Sequence, residues 1–340
     1  MKIKEVCSRF SSGKSISSNK ITNSGKYLVY GGNGSRGYSD RYNFDGECAI
    51  IGRQGAYCGN VKFFSGKGYM TEHAIVAVGN EISNTRFLAY KFELMNFGKY
   101  ASQSAQPGLS VEMLADLDID LPPLETQKKI AALLGALDNK IALNKKINAT
   151  LEAMAKTLYM HKFFRKPPNG KLGEIIVENP KSIIPVGEAK SIGGGFPFFT
   201  SGDAILSWHK SLVDGRNIFL NTGGNAGVNF YVGKASYSTD TWCITAENLS
   251  DYLYMLLKVI EPELDKKFFQ GTGLKHLQKP LLKGRAIYIP TETEREEFNS
   301  VVQPCFTKIS ANVRESRRLA ELRDWLIPML MNGQITFDEI

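Results

Sequence analysis

The sequence predicts an α+β fold built by internal duplication: a β-rich domain, a long helix, a second β-rich domain and a second long helix. Two observations predict it. The first is the stretch Leu121 to Phe164, which reads as one long helix punctuated at its start by Pro122 and Pro123. Apolar residues recur there at Ile130, Leu134, Leu137, Ile141, Ile147, Leu151, Met154 and Leu158, with a polar break at Asn144. Steps of three and four keep one face apolar, as in a coiled-coil seam. From Glu125 to Phe163 such a helix spans roughly 60 Å at ~1.5 Å per residue. The second observation is that the same grammar returns from Ile289 onward at a constant offset (290 − 122 = 168). Pro122 matches Pro290, Lys140-Ile141 matches Lys308-Ile309, Asn144 matches Asn312, Leu151 matches Leu319 and Leu158 matches Leu326. A constant offset over so long a stretch indicates a repeat rather than a shared helical period.

The elements follow in order. Residues 1–120 form the first β-rich domain, with strands expected at Tyr27–Tyr30, Cys48–Ile51, Val61–Phe64 and Ala74–Val78 between Gly, Asn, Asp and Ser clusters. Thr85 to Phe97 reads as a helix, Ser102 to Gly108 as a polar loop, and Leu117 to Leu121 as a short strand leading into the long helix. That helix occupies 121–165. Residues 166–288 are the second domain, opening on a linker, Arg165 to Gly170. Phe196 to Gly202 echoes Tyr27 to Gly31, and Asn221 to Gly227 lines up with Arg53 to Gly59. Tyr237 to Asp240 matches Tyr69 to Glu72. Tyr252 to Ile260 is the counterpart of the first domain's helix, and Phe269 to Leu274 stands where Gln106 to Leu109 stood. The second long helix fills 289–340.

Composition narrows the class. The chain has 340 residues, 43% of them hydrophobic, enough for two packed domains. Its formal charge of +8 is consistent with a polyanionic partner such as nucleic acid. The N-terminus lacks the apolar core of a signal peptide, and no apolar run approaches a membrane helix in length. Five cysteines with no C-x-x-C fit reduced thiols, a cytoplasmic location, no disulfide framework and no zinc site.

Catalytic signatures are missing. Gly32, Gly34 and Gly37 satisfy G-x-G-x-x-G, but the residues after them are turn-forming and no helix opens to hold a pyrophosphate. A glycine-rich hairpin is the better reading. Glu188-Ala189-Lys190 matches a nuclease tripeptide without the preceding Pro-Asp. There is no Asn-Pro-Pro-Tyr tetrapeptide of amino-methyltransferases, no G-x-S-x-G and no P-loop. His73, His161, His209 and His276 are scattered, which leaves metal binding unsupported.

The loops carry the functional signal. Arg36, Arg41, Arg53, Gln54 and Tyr57 cluster in the first domain's Gly-rich loops, followed by Gln103, Ser104 and Gln106. The second domain offers Trp208, His209, Lys210, Asn225, Asn229, Thr272, Lys275, His276 and Gln278. Arg and Lys pair with guanine edges, Asn and Gln with adenine, and the remaining cations with phosphates. Taken singly, each of these is more readily a solvated loop residue; as groups in a duplicated chain they favour DNA contact.

At this point the chain resembles a family. Leu121-Pro122-Pro123-Leu124-Glu125-Thr126-Gln127-Lys128-Lys129-Ile130, then Leu133-Leu134 and Leu137-Asp138-Asn139-Lys140-Ile141, are similar to the central conserved region of type I restriction–modification specificity subunits. Leu322-Arg323-Asp324-Trp325-Leu326-Ile327-Pro328-Met329-Leu330-Met331-Asn332-Gly333-Gln334-Ile335 resembles that family's C-terminal conserved segment. Tyr30 to Tyr38, with Ile51 to Gly55 and Gly59 to Val61, looks like one type of target-recognition domain. The second copy departs in having Pro290-Thr291-Glu292 for the double proline and Arg295 for Gln127. The resemblance implies a non-catalytic subunit whose two recognition domains are separated by two antiparallel helices with pseudo-two-fold symmetry. Each domain is then expected to read half of a split double-stranded DNA site. The helices set the spacer and dock two methyltransferase subunits, which carry S-adenosylmethionine and flip an adenine from each half-site. Motor and nuclease subunits, using ATP and Mg, can join for restriction. The alternatives are a specificity subunit of a modification-only assembly, a free-standing nuclease or methyltransferase, and a structural coiled coil that binds no DNA.

Overall fold

The computed structural model describes residues 1–32, 34–55, 57–102, 108–202 and 204–335. Its helices are α1 (Ile3–Val6), α2 (Thr85–Met95), α3 (Val111–Ala115), α4 (Leu124–Lys162), α5 (Val186–Ile192), α6 (Ser250–Val259), α7 (Glu261–Glu263), α8 (Lys279–Lys283) and α9 (Glu292–Met331). The expected long helices are α4 and α9, of 39 and 40 residues. The chain divides into two compact units, Met1–Ile141 with Arg318–Ile340, and Ala142–Arg317.

The first unit is built on a six-stranded sheet of β1 (Cys7–Ser12), β2 (Tyr27–Gly31), β3 (Gly34–Ser39), β4 (Phe44–Gly52), β5 (Val61–Met70) and β6 (Ala74–Gly79). The order is β1-β6-β4-β5-β2-β3, antiparallel except for the parallel pair β2/β5. All four expected strands are present. The buried run Cys48–Gly52 ends β4 in the middle of the sheet. Its alternate residues serve two cores, Ala49 and Ile51 on one face and Cys48 and Ile50 on the other. The glycine motif is a hairpin, closed by Gly31 opposite Gly34, with Gly34 at φ 97°. Helix α2 is capped by Asn84, whose side-chain oxygen accepts from the Phe87 N–H at 2.9 Å. Its Leu88, Ala89 and Phe92 pack on the sheet, while Phe87 and Tyr90 pack on the long helices.

Two expectations fail in this unit. Leu117 to Leu121 is not a strand: it contributes a single bridge, Lys2 to Asp118, after the short helix α3, which Ser110 caps. Strand β1 was not expected at all. Its sequence, CSRFSS, is mostly polar because it forms one edge of the sheet, so it lacks the apolar alternation that marks the inner strands.

The second unit repeats this topology at the 168-residue offset. Its strands are β7 (Gly170–Lys171), β8 (Val177–Glu178), β9 (Phe196–Phe199), β10 (Leu206–Trp208), β11 (Arg216–Asn221), β12 (Val228–Val232), β13 (Ser236–Tyr237), β14 (Thr241–Thr245), β15 (Phe269–Gln270), β16 (His276–Leu277) and β17 (Ala286–Ile287). One sheet runs β12-β11-β14-β8 and another β10-β9-β13. In the first unit the equivalents of these two rows are joined through β5. Here β5 is matched by two shorter strands, β12 and β13, and the sheet is broken between them. The parallel pair survives as β9/β13. Arg216 clamps the start of α6, its Nε donating to the nearly fully buried Asp251 carboxylate at 2.6 Å and its Nη2 to the Gln303 carbonyl of α9 at 3.2 Å.

Segments of the long helices pack within each unit. In the first, Ile130, Ala131 and Leu134 of α4 meet Leu326, Ile327, Leu330 and Met331 of α9. The Asp138 carboxylate accepts from Arg323 Nη1 at 2.7 Å and from the Tyr90 hydroxyl. In the second, Ala155, Tyr159 and Phe163 face Phe298, Val302 and Phe306, with Phe163 and Phe298 ring centroids 5.3 Å apart. Both segment pairs are antiparallel, since rising α4 numbers meet falling α9 numbers. Met154 leaves the expected seam: it is 54% exposed, and Ala155 takes the inward position. Proline also proves compatible with the helix interior, because Pro304 and Pro328 both lie inside α9. Pro304 is exposed, so the Ser300 carbonyl it leaves without an N–H partner faces the solvent side, while buried Val302 and Phe306 hold the turn.

Candidate nucleic-acid interface

In each unit two loops meet at the same end of the sheet. In the first, the strip after β4 bridges the loop before α3, with Gln54 paired to Gly108 and the Leu109 N–H donating to the Arg53 carbonyl at 2.9 Å. In the second, the β11–β12 hairpin meets β16 and the residue before it. Gly223 bridges His276, the Gly224 N–H donates to the Lys275 carbonyl at 3.0 Å, and the Leu277 N–H donates to the Thr222 carbonyl at 3.0 Å. The repeat carries Gln54 to Thr222 and Gly108 to His276, so the two loop pairs are equivalent to within one residue.

These contacts sort the candidates. Gln54 and Tyr57 are exposed on the first loop pair, and Arg36 is exposed on the adjoining hairpin. Arg36 lays its aliphatic stem across Gly31, where any Cβ would collide with it. Arg53 serves structure instead. Its Nε donates to the Leu109 carbonyl at 3.0 Å and its Nη1 to the Ser12 hydroxyl at 3.2 Å, tying the loop base together. Gln103, Ser104 and Gln106 lie outside the described residues. In the second unit Asn225, Thr272, Lys275 and His276 are exposed on one loop pair. Lys275 sits 3.5 Å from the Asp265 carboxylate. The Asn225 carbonyl accepts from Asn221 Nδ2, which fixes the hairpin. Asn229 is half-buried in β12, and Gln278 donates to the His276 carbonyl beside α8.

Four candidates are not brought to these loops. Arg41 follows β3, at the end of that strand far from the hairpin turn. Its repeat equivalent is His209, and Lys210 adjoins it after β10. Trp208 is corrected from surface reader to core: it is 6% exposed and packs on Phe198, because β10 turns it inward with Ile184 and Ala189. Its backbone presses on Gly194, whose carbonyl accepts from Arg317 of α9. Trp208 and His209 therefore lie beside the long helix.

Sequence reading also missed residues. In the first unit a cleft of about 300 Å³ is lined by Tyr30, Gly32, Gly34, Tyr57, Asn60 and Lys62, among others. In the second, a groove of about 410 Å³ is lined by Lys181, Trp242, His276 and Lys279, among others. Lys279 lies 4.7 Å from the Trp242 ring centroid, and burial holds its ammonium below the usual lysine range. The signal for Lys62 was available in principle, as a polar residue in register on the strand Val61–Phe64.

The chemistry on offer is recognition. The exposed groups are hydrogen-bond donors, amides and cations. Burial pushes the Cys7, Cys48 and Cys243 thiols up to about 12, so they stay protonated. Among the described residues no group of three His, Cys, Asp or Glu side chains is placed to hold a metal ion. No helix among them is long and apolar enough to cross a membrane.

Comparison with known proteins agrees. A family profile described as "Type I restriction modification DNA specificity domain" matches residues 1–153 and 169–311. The type I restriction enzyme EcoprrI specificity subunit of Escherichia coli is 46% identical over 112 residues, which is 33% of this chain and only 28% of that protein. A putative type I specificity subunit of Mycoplasma pneumoniae is 26% identical over 330 residues, covering 90% of this chain and 88% of its own. The crystal structure of a type I restriction–modification S subunit from M. genitalium shares the fold with a TM-score of 0.66 at 16% identity, covering 97% of this chain and 95% of that one. A recognition repeat matched in both copies, over most of the chain, places it in the type I restriction–modification specificity family, as a DNA-recognition subunit.

Proposed function

We propose that each repeat reads one half of a bipartite DNA site and that α4 and α9 set the spacer between the halves. The observation that carries this reading is the equivalence of the two loop pairs, Gln54 with Gly108 and Gly223 with His276. A duplicated chain with one exposed, donor-rich loop pair per copy has two reading heads. Gln54, Tyr57, Asn225, Thr272, Lys275 and His276 face the DNA, with Arg36 beside them, and Gln103 and Gln106 contribute further amide contacts. Exposed faces of the long helices, carrying Leu322 and Trp325 on α9 and Met154 on α4, dock two adenine methyltransferase subunits. S-adenosylmethionine belongs to those partners, and ATP and Mg to a restriction subunit where one joins. The chain works in the cytoplasm and contributes recognition rather than a reaction step.

The test is an exchange of residues 171–288 for another recognition domain, followed by mapping of methylated adenines in cells that also carry the methyltransferase. One half-site changes and the other, with the spacer, stays. A change in both halves would overturn the two-headed reading.

A further inference from the structure

The two repeats differ at one place that bears on reading. The cleft of about 300 Å³ in the first unit is floored by glycines of β2, its hairpin and the end of β4: Gly31, Gly32, Gly34 and Gly52. The repeat places Phe199 opposite Gly31 and Leu220 opposite Gly52, and both are buried side chains of the second unit's cores. Lys62, on the cleft's rim, corresponds to Phe230, which stacks on Tyr254 with ring centroids 4.9 Å apart. The second unit thus holds apolar side chains, packed into its cores, at three positions where the first has two glycines and a cation.

The open cleft has a definite chemistry. The Lys62 ammonium stands 3.0 Å from where a Cβ on Gly34 would be, so the glycine keeps room for it. Lys62 is exposed, and no hydrogen bond or ion pair holds it among the described residues. Asn60 lies at the same wall, its backbone fixed by the Gly52 N–H donating to its carbonyl at 2.9 Å and its own N–H donating to the Tyr57 carbonyl at 3.1 Å. An ammonium offers three donors and no acceptor. The matching base edge is one with two adjacent acceptors, which in the major groove is guanine O6 and N7.

We propose that Lys62 is a specificity-determining residue of the first recognition domain, reading a guanine from this cleft, and that the second domain has no equivalent reader. The inference rests on the two-headed reading above. A cation that only touched a phosphate would need no recess; here an exposed ammonium stands at the wall of a cleft, against the one glycine whose Cβ would crowd it, Gly34.

The experiment compares the parent chain, Lys62→Met and Lys62→Arg, each expressed with the methyltransferase, by mapping modified sites genome-wide and by competition binding of the assembled complex to duplexes altered one base pair at a time. Lys62 is exposed, so the substitutions leave the fold intact, and unchanged modification of the second half-site reports this in the same data. The expected result is that Lys62→Met lowers discrimination at one guanine of one half-site by roughly 5- to 100-fold, that Lys62→Arg retains it, and that the other half-site is unaffected. Uniform weakening across all sequences would make Lys62 a phosphate contact and overturn the proposal. An unchanged site in Lys62→Met, with a bipartite site in the parent, would remove Lys62 alone. A parent assembly with no bipartite preference would remove the underlying two-headed reading as well.

Discussion

The side-chain amide of Asn312 donates to the side-chain oxygen of Asn148 at 2.8 Å. Four residues earlier on α4, the amide of Asn144 donates to Ser316 Oγ at 3.2 Å and to the Glu315 carboxylate at 2.8 Å. The repeat carries Asn144 to Asn312 and Asn148 to Ser316, so these are one contact made twice. Neither Asn donates to its own repeat equivalent: Asn144 reaches Ser316 and Asn312 reaches Asn148, one turn away. Both are 1% exposed, and the side-chain oxygen of each has no partner among the described residues.

That incomplete satisfaction leads to the first prediction. A buried amide with one unpaired oxygen contributes little net stability, because its desolvation offsets the hydrogen bond it makes. Its value lies in register, as for a lone buried Asn in a coiled-coil seam. The double variant Asn144→Leu, Asn312→Leu should melt at the parent temperature or above it. Its modified-site map should nevertheless show mixed spacer lengths where the parent shows one. A single spacer identical to the parent's would remove the register role.

A second prediction concerns Gly135, a glycine inside α4. Glycine to alanine in a helix interior ordinarily stabilises by about 0.5–1 kcal/mol. Here a Cβ would stand 2.6 Å from Arg86 Cζ. Arg86 is not free to retreat: its Nη2 donates to the Gly135 carbonyl and to Asn139 Oδ1, both at 3.1 Å, and its guanidinium lies 4.7 Å from the Phe63 ring centroid. Gly135→Ala should therefore destabilise the parent, yet stabilise an Arg86→Ala background by about 1 kcal/mol. Denaturant unfolding of the four chains in a double-mutant cycle reads the sign directly. The same sign in both backgrounds would refute the clash.

The helices and inner strands were legible because their periods are strong: steps of three and four along α4, and unbroken apolar runs in β4 and β6. The repeat was legible because an offset needs no knowledge of structure. What escaped was what depends on neighbours. Strand β1 exists only because β6 offers it an edge, and CSRFSS carries no period of its own. Trp208 read as a surface aromatic because the burial of a three-residue strand is decided by the residues facing it. Lys62 was passed over because the recess beside it forms only when the glycine hairpin, the end of β4 and β5 come together, which a chain read linearly shows as separate segments. The start of α9 was legible and overlooked: Thr291-Glu292-Thr293-Glu294 is a capping box, with Glu294 Oε2 accepting from the Thr291 N–H at 2.9 Å.

That box gives a third prediction, in pH. The Lys166 ammonium beside Glu294, with hydrogen bonds from the Tyr288 hydroxyl and the Thr291 N–H, holds its carboxyl down at about 2. The unfolded chain's glutamate titrates at about 4.3. A depressed carboxylate stabilises the fold when ionised, so its contribution is complete above about 4.3 and is lost as pH falls toward about 2. Glu294→Gln should melt below the parent at neutral pH, and the two curves should converge as pH drops through that window. An offset that persisted unchanged to the acid end would show that charge is not the cause.

The last prediction tests the helices as a ruler. A turn added to α4 alone shifts the residues on one side of the insertion past their partners on α9, so it breaks an Asn contact as it lengthens the helix. The repeat supplies a better design. Lys146 and Arg314 are equivalent positions, and each lies between the two Asn contacts, since Asn144 meets Ser316 and Asn148 meets Asn312. Seven residues inserted after Lys146 and seven after Arg314 keep both contacts and the heptad phase. Each helix then lengthens by about 10 Å at ~1.5 Å per residue, equivalent to about three base pairs at ~3.4 Å each. Mapping of methylated adenines should return both half-site sequences unchanged, with the gap between them longer by about three. The single-helix insertion should instead lower the melting temperature and give weak or mixed spacing. An unchanged gap in a doubly extended chain that still directs methylation would mean that something other than α4 and α9 measures the spacer.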